Sequence, residues 1–221
     1  CFDTHQQGQK LIRLRWISCQ GRFVLSFETK FKNVFALCEL KVILMIINKN
    51  MNGQIQIYTG NGKGKTTAAF GLVLRAVGAG KKVFFAQFVK GKTYSEIEAV
   101  NKFLPGVTIK QYGRGCFIVN EPAKEDIEAA GKGLREIETI IQSDTYDIIV
   151  LDEANIALYY KLFPVEALIQ ILEKRNPAVE IIITGRYAPP ELVEIAGLVT
   201  EMKEIKHYYV DGVEAREGIE F

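Results

Sequence analysis

Histidine is scarce in this sequence, since only His5 and His207 occur among its 221 residues. His5 lies in a poorly patterned N-terminal stretch, so a Ser-His or Cys-His nucleophilic mechanism would depend on His207 alone, which argues against triad chemistry. The four cysteines form no Cys-x-x-Cys pair and no cluster with histidine, which speaks against both a structural zinc site and a disulfide framework. This use of cysteine favours a reducing, cytoplasmic setting.

Long apolar runs and a strong net charge are also missing. The longest strongly apolar run extends from Val42 to Ile47, far short of the roughly 20 residues that a transmembrane helix needs. The first 50 residues contain no apolar core followed by a small-residue cleavage site, so no signal peptide is predicted. The formal net charge of +2 is too small to predict a nucleic-acid partner.

The chain does have enough apolar residues, 48% of the total, for the core of one α/β domain. It divides at about Asn50, because residues 1–50 show no sustained hydrophobic period and residues 51–221 do. Two interpretations of the first part stay open. It is either an extension upstream of the true start, or an arm that packs on the domain or on a partner subunit. Residues 51–221 are predicted to form a nucleotide-binding domain.

Strands and helices are predicted to alternate from Gln54 onward, which indicates βαβ units and a mainly parallel sheet with helices on both faces. The predicted strands are 54–58, 82–88, 107–112, 148–151, 179–184 and 198–202. The predicted helices are 65–77, 122–141, 164–174 and 189–196. A small C-terminal hairpin is predicted over residues 205–209 and from Val213 on, turning at Asp211-Gly212.

A glycine-rich loop follows the first strand of this domain and reads Thr59-Gly-Asn-Gly-Lys-Gly-Lys-Thr-Thr67. Its end matches the P-loop pattern G-x-x-x-x-G-K-[ST], although Thr59 stands where the first glycine usually lies. Glycines allow successive backbone N–H groups to point inward, and a helix N-terminus follows, so the loop predicts a phosphate cradle. The predicted ATP contacts in the loop are Gly60, Asn61, Gly62, Lys63, Gly64, Lys65, Thr66 and Thr67.

An acidic pair, Asp152-Glu153, ends the apolar strand that begins at Ile148. Ligands bind outside the carboxyl ends of parallel strands, where an acidic side chain can hold Mg²⁺ directly or through water. With the hydroxyl of Thr66, this pair is the predicted metal site, and Lys65 and Glu153 are the predicted catalytic residues. A bare P-loop with an acidic pair also fits an ATPase, a small-molecule kinase or a binding module without turnover.

Further motifs follow the loop in a set order. They are Gln87-Phe88-Val89-Lys90-Gly91, Leu151-Asp152-Glu153, Thr184-Gly185-Arg186 and Ala215-Arg-Glu-Gly-Ile219. Together with the wording of the loop, they resemble the P-loop corrinoid adenosyltransferases, which act on cob(I)alamin or cob(I)yrinic acid a,c-diamide. The resemblance covers about residues 53–221 and implies a RecA-like P-loop NTPase fold.

The resemblance implies an unusual reaction. Co(I) of a reduced corrinoid attacks the 5′ carbon of ATP, and the whole triphosphate leaves. The nucleotide then lies across the loop in a reversed sense compared with hydrolases. Backbone donors, Lys63, Lys65 and Mg²⁺ (or Mn²⁺) would neutralise the departing triphosphate, and Arg75 and Arg186 are expected as further ATP contacts.

The resemblance also implies a homodimer and a flavodoxin-like electron donor. Many members of the family place a Phe-x-Trp pair over the corrin in a loop that corresponds to residues 113–119. Here that loop contains only one aromatic residue, Phe117, which is the expected corrinoid contact and lies one position out of register.

Overall fold

The computed structural model describes residues 15–19, 22–26, 52–92, 94–115, 118 and 121–220. Residues 1–50 and 51–221 form two separate units. In the first unit, strands β1 (Arg15–Cys19) and β2 (Arg22–Ser26) form an antiparallel ladder in which Arg15 pairs with Ser26. The hydrophobic pattern of the sequence does not predict these two strands.

The second unit alternates strands and helices. Its strands are β3 (Ile55–Thr59), β4 (Val83–Lys90), β5 (Val107–Gly115), β6 (Ile148–Asp152), β7 (Glu180–Thr184) and β8 (Leu198–Glu201). Its helices are α1 (Lys65–Gly78), α2 (Ser95–Phe103), α3 (Lys124–Ile140), α4 (Ala154–Tyr159), α5 (Val165–Glu173) and α6 (Pro190–Ile195). A 3₁₀ helix covers Tyr208–Asp211.

These six strands form one sheet in the order β5-β4-β6-β7-β3-β8, and every neighbouring pair is parallel. The predicted α/β fold with a P-loop domain is therefore confirmed, and its sheet is parallel throughout. The carboxyl ends of all six strands lie at one edge, where ligands bind in open α/β sheets.

The core lies on both faces of this sheet. Successive residues of a strand point to opposite faces, so Phe85 packs with Val73 of α1 on one face and Phe84 packs with Ile137 of α3 on the other. Both phenylalanines are fully buried. The two-sided burial explains why the central strands are continuous apolar runs rather than alternating ones.

The predicted C-terminal hairpin is wrong. Tyr208–Asp211 forms a 3₁₀ helix instead, and the side chain of His207 accepts a hydrogen bond from the backbone N–H of Tyr209 at its start. Gly212 has φ of 80° and donates its N–H to the carbonyl of Tyr209, so it ends this helix. An Asp-Gly pair serves a helix C-terminus as readily as a hairpin turn, because both need a residue with positive φ.

Candidate nucleotide and metal site

The glycine-rich loop joins β3 to α1, as predicted. Gly64 has φ of 114°, and helix α1 begins at the next residue, Lys65. Gly62 donates its backbone N–H to the carbonyl of Met202 at 2.7 Å, which ties the loop to the segment that follows β8. The first turn of α1 has no side-chain cap, so its N–H groups and the helix dipole are available to an anion.

Lys65 lies over this loop and is 8% exposed. Its ammonium donates to the carbonyl oxygens of Gly60 at 2.8 Å and Gly62 at 2.7 Å. Burial lowers the pKa of Lys65, and the carboxylate of Glu153 opposes that effect. The side chain therefore holds a cation against the inside of the loop, where phosphate oxygens would replace the two carbonyls.

Asp152 is fully buried at the end of β6 and accepts four side-chain hydrogen bonds. Its Oδ1 accepts from Thr66 Oγ1 at 2.9 Å and from Thr184 Oγ1 at 2.6 Å. Its Oδ2 accepts from Lys90 Nζ at 3.1 Å and from Gln87 Nε2 at 3.3 Å. The carboxylate therefore joins the start of α1 to the carboxyl ends of three neighbouring strands, β4, β6 and β7.

Glu153 follows in the left-handed region, with φ of 59°, and donates its backbone N–H to Thr184 Oγ1 at 3.0 Å. Burial and the adjacent Asp152 carboxylate raise the pKa of Glu153, while Lys90, Lys65 and Arg186 act in the opposite direction. Non-glycine residues with positive φ are uncommon and cluster at functional sites. The strained backbone turns the Glu153 side chain into the same charged surroundings as Lys65.

Thr66, Asp152 and Glu153 offer a donor set of hard oxygens. A hydroxyl with one or two carboxylates and substrate phosphates is the usual magnesium environment in nucleotide-binding proteins, so these residues fit Mg²⁺. Among the described residues, no group of three or more His, Cys, Asp and Glu side chains forms a metal cage. Substrate phosphates and water would complete the coordination of a metal here.

Three residues of this site were not predicted as site residues from the sequence: Gln87, Lys90 and Thr184. Each lies at or near the carboxyl end of a strand next to β6. The topology rule for parallel sheets would have identified Gln87 and Thr184, because the ends of neighbouring strands converge at the edge where Asp152 lies. Lys90 reaches the same edge only through the irregular backbone at Val89. Burial lowers the pKa of Lys90, but the carboxylates of Asp152 and Glu153 raise it by more. The net effect is a raised pKa, so the ammonium of Lys90 stays charged.

Lys63 points away from the inside of the loop. Its ammonium donates to Glu220 Oε1 at 2.7 Å and to Tyr208 Oη at 2.9 Å. Tyr208 also donates to the same carboxylate, which Arg216 contacts as well. A cavity of about 290 Å³ lies between the loop and residues 203–208. The structure thus places Lys63 at the rim of the loop, bound to the C-terminal segment.

The two predicted arginines lie in different surroundings. Arg186 follows β7 and is close enough to Lys65 and Glu153 to influence the pKa of each. Arg75 is exposed near the end of α1, ten residues or about 15 Å along the helix from Lys65. The structure therefore brings Arg186 to the site and leaves Arg75 away from it, near Tyr58.

The remaining predicted residues lie at two places. Asn61 and Thr67 are exposed at the loop and in the first turn of α1. Phe117, the predicted corrinoid contact, lies outside the described residues.

Within the described ranges, no helix is both long enough and apolar enough to cross a membrane.

Comparisons of this chain with a family profile and with individual known proteins indicate the same family. Residues 51–221 match the profile of ATP:corrinoid adenosyltransferase BtuR/CobO/CobP. A corrinoid adenosyltransferase of Pseudomonas aeruginosa is 33% identical over 174 residues, which cover 78% of this chain and 86% of the relative. One from Escherichia coli K12 is 36% identical over 170 residues, 76% of this chain and 86% of the relative.

A further relative, corrinoid adenosyltransferase CobA of Salmonella typhimurium, is 36% identical over 170 residues and covers the same shares of both sequences. All three similarities extend over most of each chain, and the matched part includes the loop, the acidic pair and the strands that hold them. The chain belongs to the ATP:corrinoid adenosyltransferase family.

Proposed function

We propose that the site transfers the 5′-deoxyadenosyl group of ATP to the reduced cobalt of a corrinoid, with the loop at residues 60–67 holding the triphosphate as the leaving group. The observation that carries this proposal is the joining of Lys65, Thr66 and the acidic pair around one anion-binding loop in a chain of this family. The product would be an adenosylcorrinoid, for biosynthesis or salvage of adenosylcobalamin.

The electron bookkeeping of the step is simple. The electron pair on Co(I) forms the cobalt–carbon bond at C5′, and the bond between C5′ and the triphosphate oxygen breaks with its electrons going to that oxygen. No proton has to be removed, so the scarcity of histidine does not hinder the reaction. The work left to the protein is to position the two substrates and to stabilise charge on the departing triphosphate.

Each described residue would then have one task. Backbone N–H groups within residues 61–66 and the ammonium of Lys65 would bind the phosphate oxygens, except the N–H of Gly62, which donates to the carbonyl of Met202. Arg186 would add a second cation from the end of β7. Lys63, now held by Glu220, would reach the phosphates only by leaving that partner.

Thr66 and Glu153 would hold Mg²⁺ (or Mn²⁺), with Asp152 orienting the Thr66 hydroxyl. The metal would supply further neutralisation of the triphosphate. A contact of Phe117 with the corrin, a homodimer and a flavodoxin-like electron donor stay predictions that follow from the family. A cytoplasmic location stays a prediction that follows from the use of cysteine.

The test is to incubate the protein with ATP, Mg²⁺ and a chemically reduced corrinoid. We expect the Co(I) absorbance to fall, and the amount of tripolyphosphate formed to equal the amount of Co(I) consumed. Lys65→Ala should lower turnover by at least about a hundredfold, since one preorganised charge on the leaving group contributes roughly 3 kcal/mol. Lys92→Ala, which removes an exposed lysine beyond β4, is the matched control and should leave turnover unchanged.

Release of orthophosphate without loss of Co(I) would contradict the transfer and favour the alternative, an ATPase. An unchanged rate in the Lys65→Ala variant would instead contradict the role of the loop.

A further inference from the structure

Lys90 is the last residue of β4, and its ammonium lies inside the nucleotide site rather than in solvent. The side chain is only 18% exposed. Nζ is 3.1 Å from Asp152 Oδ2 and 3.4 Å from Thr66 Oγ1. These two partners include the hydroxyl that would bind the metal and the carboxylate that orients it. A cation of the protein thus already lies where a divalent cation would need to approach.

A regular strand would not bring Lys90 to this place. Gln87 and Lys90 both donate to Asp152 Oδ2, yet residues three apart on a regular strand point to opposite faces. Between them Val89 has φ of 66°, and the pairing with β5 slips, so that Phe88 is opposite Tyr112 and Lys90 is opposite Gly115. The irregular backbone redirects the Lys90 side chain towards Asp152.

This irregular backbone is strained, and the surrounding structure holds it in place. Positive φ is a genuine outlier for a β-branched residue, and Val89 is buried as well. The strands also approach so closely here that a Cβ on Gly113 would lie 2.3 Å from the carbonyl carbon of Val89, and a Cβ on Gly91 would lie 2.4 Å from the carbonyl oxygen of Gly113. Strain held by its surroundings in this way is typical of residues with a functional task.

The charges around Lys90 indicate what that functional task is. Asp152 is fully buried and Glu153 is next to it, so two adjacent carboxylates need a cation nearby when no metal is present. Lys65 makes its hydrogen bonds to carbonyls of the loop and not to Asp152. Among the described residues, Lys90 is the one that forms an ion pair with Asp152.

We propose that Lys90 is a positioning residue that serves as the resident counter-cation of the metal site and keeps free divalent cations out until ATP brings one in. The proposal rests on the metal role proposed above for Thr66, Asp152 and Glu153. Lys90 repels a free divalent cation and competes with it for Asp152 and Thr66. Phosphate oxygens of a metal–ATP complex would supply the extra negative charge and the ligands that overcome this repulsion.

The experiment measures binding of Mn²⁺ alone, by the loss of the electron paramagnetic resonance signal of the free ion, at one mildly alkaline pH. Wild type should bind Mn²⁺ weakly when no nucleotide is present. Lys90→Met should bind it at least about tenfold more tightly, because removal of a unit charge a few ångström away has a large electrostatic effect in a buried site. Lys90→Arg, which keeps a cation, and Lys92→Met, which removes an exposed one, should both behave like wild type.

Equal Mn²⁺ affinity of Lys90→Met and wild type would overturn the proposal, and so would tight binding by wild type without nucleotide. Thermal melting checks that each variant is folded. If Lys90→Met does not fold, Lys90→Gln replaces it with the same expectation, since its amide can still donate to Asp152.

A second arm adds ATP to the wild type. A change in the Mn²⁺ spectrum beyond that of Mn²⁺–ATP in buffer supports a metal ligated by the protein. Absence of that change would sink the proposed metal role and this inference together. A changed Mn²⁺ spectrum with ATP, combined with equal Mn²⁺ affinities of Lys90→Met and wild type without ATP, would contradict the role of Lys90 alone.

Discussion

Thr184 holds two acidic residues with one buried hydroxyl. Its Oγ1 donates to Asp152 Oδ1 and accepts from the backbone N–H of Glu153. The second bond steadies the positive-φ turn at Glu153, and the first helps to aim Asp152 at Thr66. Thr184 is itself fully buried, so neither bond can be replaced easily by water.

Thr184→Val should therefore lower the free energy of unfolding by roughly 1–3 kcal/mol, because valine has nearly the shape of threonine but leaves the backbone N–H of Glu153 without its acceptor and removes one of the two hydrogen bonds that Asp152 Oδ1 accepts. Thr184→Ser keeps the hydroxyl and is the matched control. Urea denaturation measures both. The account of Thr184 would not survive a valine variant whose stability falls within about 0.5 kcal/mol of wild type.

At the scale of elements, the packing of α3 on β5 depends on a missing side chain. Gly133 of α3 is buried, and a Cβ there would lie 2.5 Å from Cγ of Tyr112 on β5. Tyr112 also donates its hydroxyl to Glu136 of the same helix. The helix therefore lies directly against an aromatic ring, and the glycine sets the distance between the helix and the sheet.

Two glycines of α3 form a matched pair for a test. Gly131→Ala would meet only the side chain of Arg135, at 3.5 Å, so it should stabilise the protein by roughly 0.5–1 kcal/mol through helix propensity. Gly133→Ala should destabilise it by about 1–3 kcal/mol, because overpacking outweighs the same gain. Thermal or urea denaturation gives both values. Equal effects at the two positions would contradict the close packing.

The start of β6 is tied to the start of β4 through Asp147. Its carboxylate accepts from the backbone N–H of Lys82 at 2.9 Å and from Lys81 Nζ at 3.0 Å. Burial raises the pKa of Asp147, but these two hydrogen bonds and the charges of both lysines outweigh burial and hold the pKa below its usual value of 3.8.

A pKa that is lower in the folded than in the unfolded state contributes stability above the unfolded value, and that contribution is lost as the pH falls below it. Asp147→Asn should therefore cost roughly 0.5–1 kcal/mol at neutral pH, a modest value because the group is partly exposed. The difference from wild type should shrink as the pH drops below 3.8. Urea denaturation at several pH values measures it, and a difference independent of pH would refute the assignment.

For the molecule as a whole, the alternation of strands and helices could be predicted because the central strands are buried on both faces and appear as apolar runs, such as residues 148–151 of β6. The loop and the acidic pair could be placed because a strand precedes each of them. The position of Lys90 could not be predicted, because it depends on the positive φ of Val89, which no hydrophobic pattern records.

Helix α2, helix α4 and the turn of the C-terminal segment also escaped prediction. Helix α4 has six residues, too few to show a hydrophobic period, and it follows β6 directly. The C-terminal segment turns at Gly212, where a positive φ suits both a hairpin and a helix end. Its contacts with Lys63 depend on side chains distant in sequence, such as Glu220.

The sheet order unites the site. Strands β4, β6, β7 and β3 are neighbours, and their carboxyl ends bring Lys90, Asp152, Thr184 and the loop to one edge. Under the proposed reaction, this edge holds the triphosphate as an intact leaving group while the reaction takes place at the sugar. In that case the bond between the β- and γ-phosphates has no part in the reaction.

The most direct measurement replaces ATP with its β,γ-imido analogue, in which that bond resists hydrolysis, and follows the Co(I) absorbance of a chemically reduced corrinoid. We predict adenosyl transfer at a rate within about tenfold of the rate with ATP, with the imidotriphosphate released intact, because the bond that breaks lies at C5′. Failure of the analogue to react, together with orthophosphate release from ATP, would contradict the account.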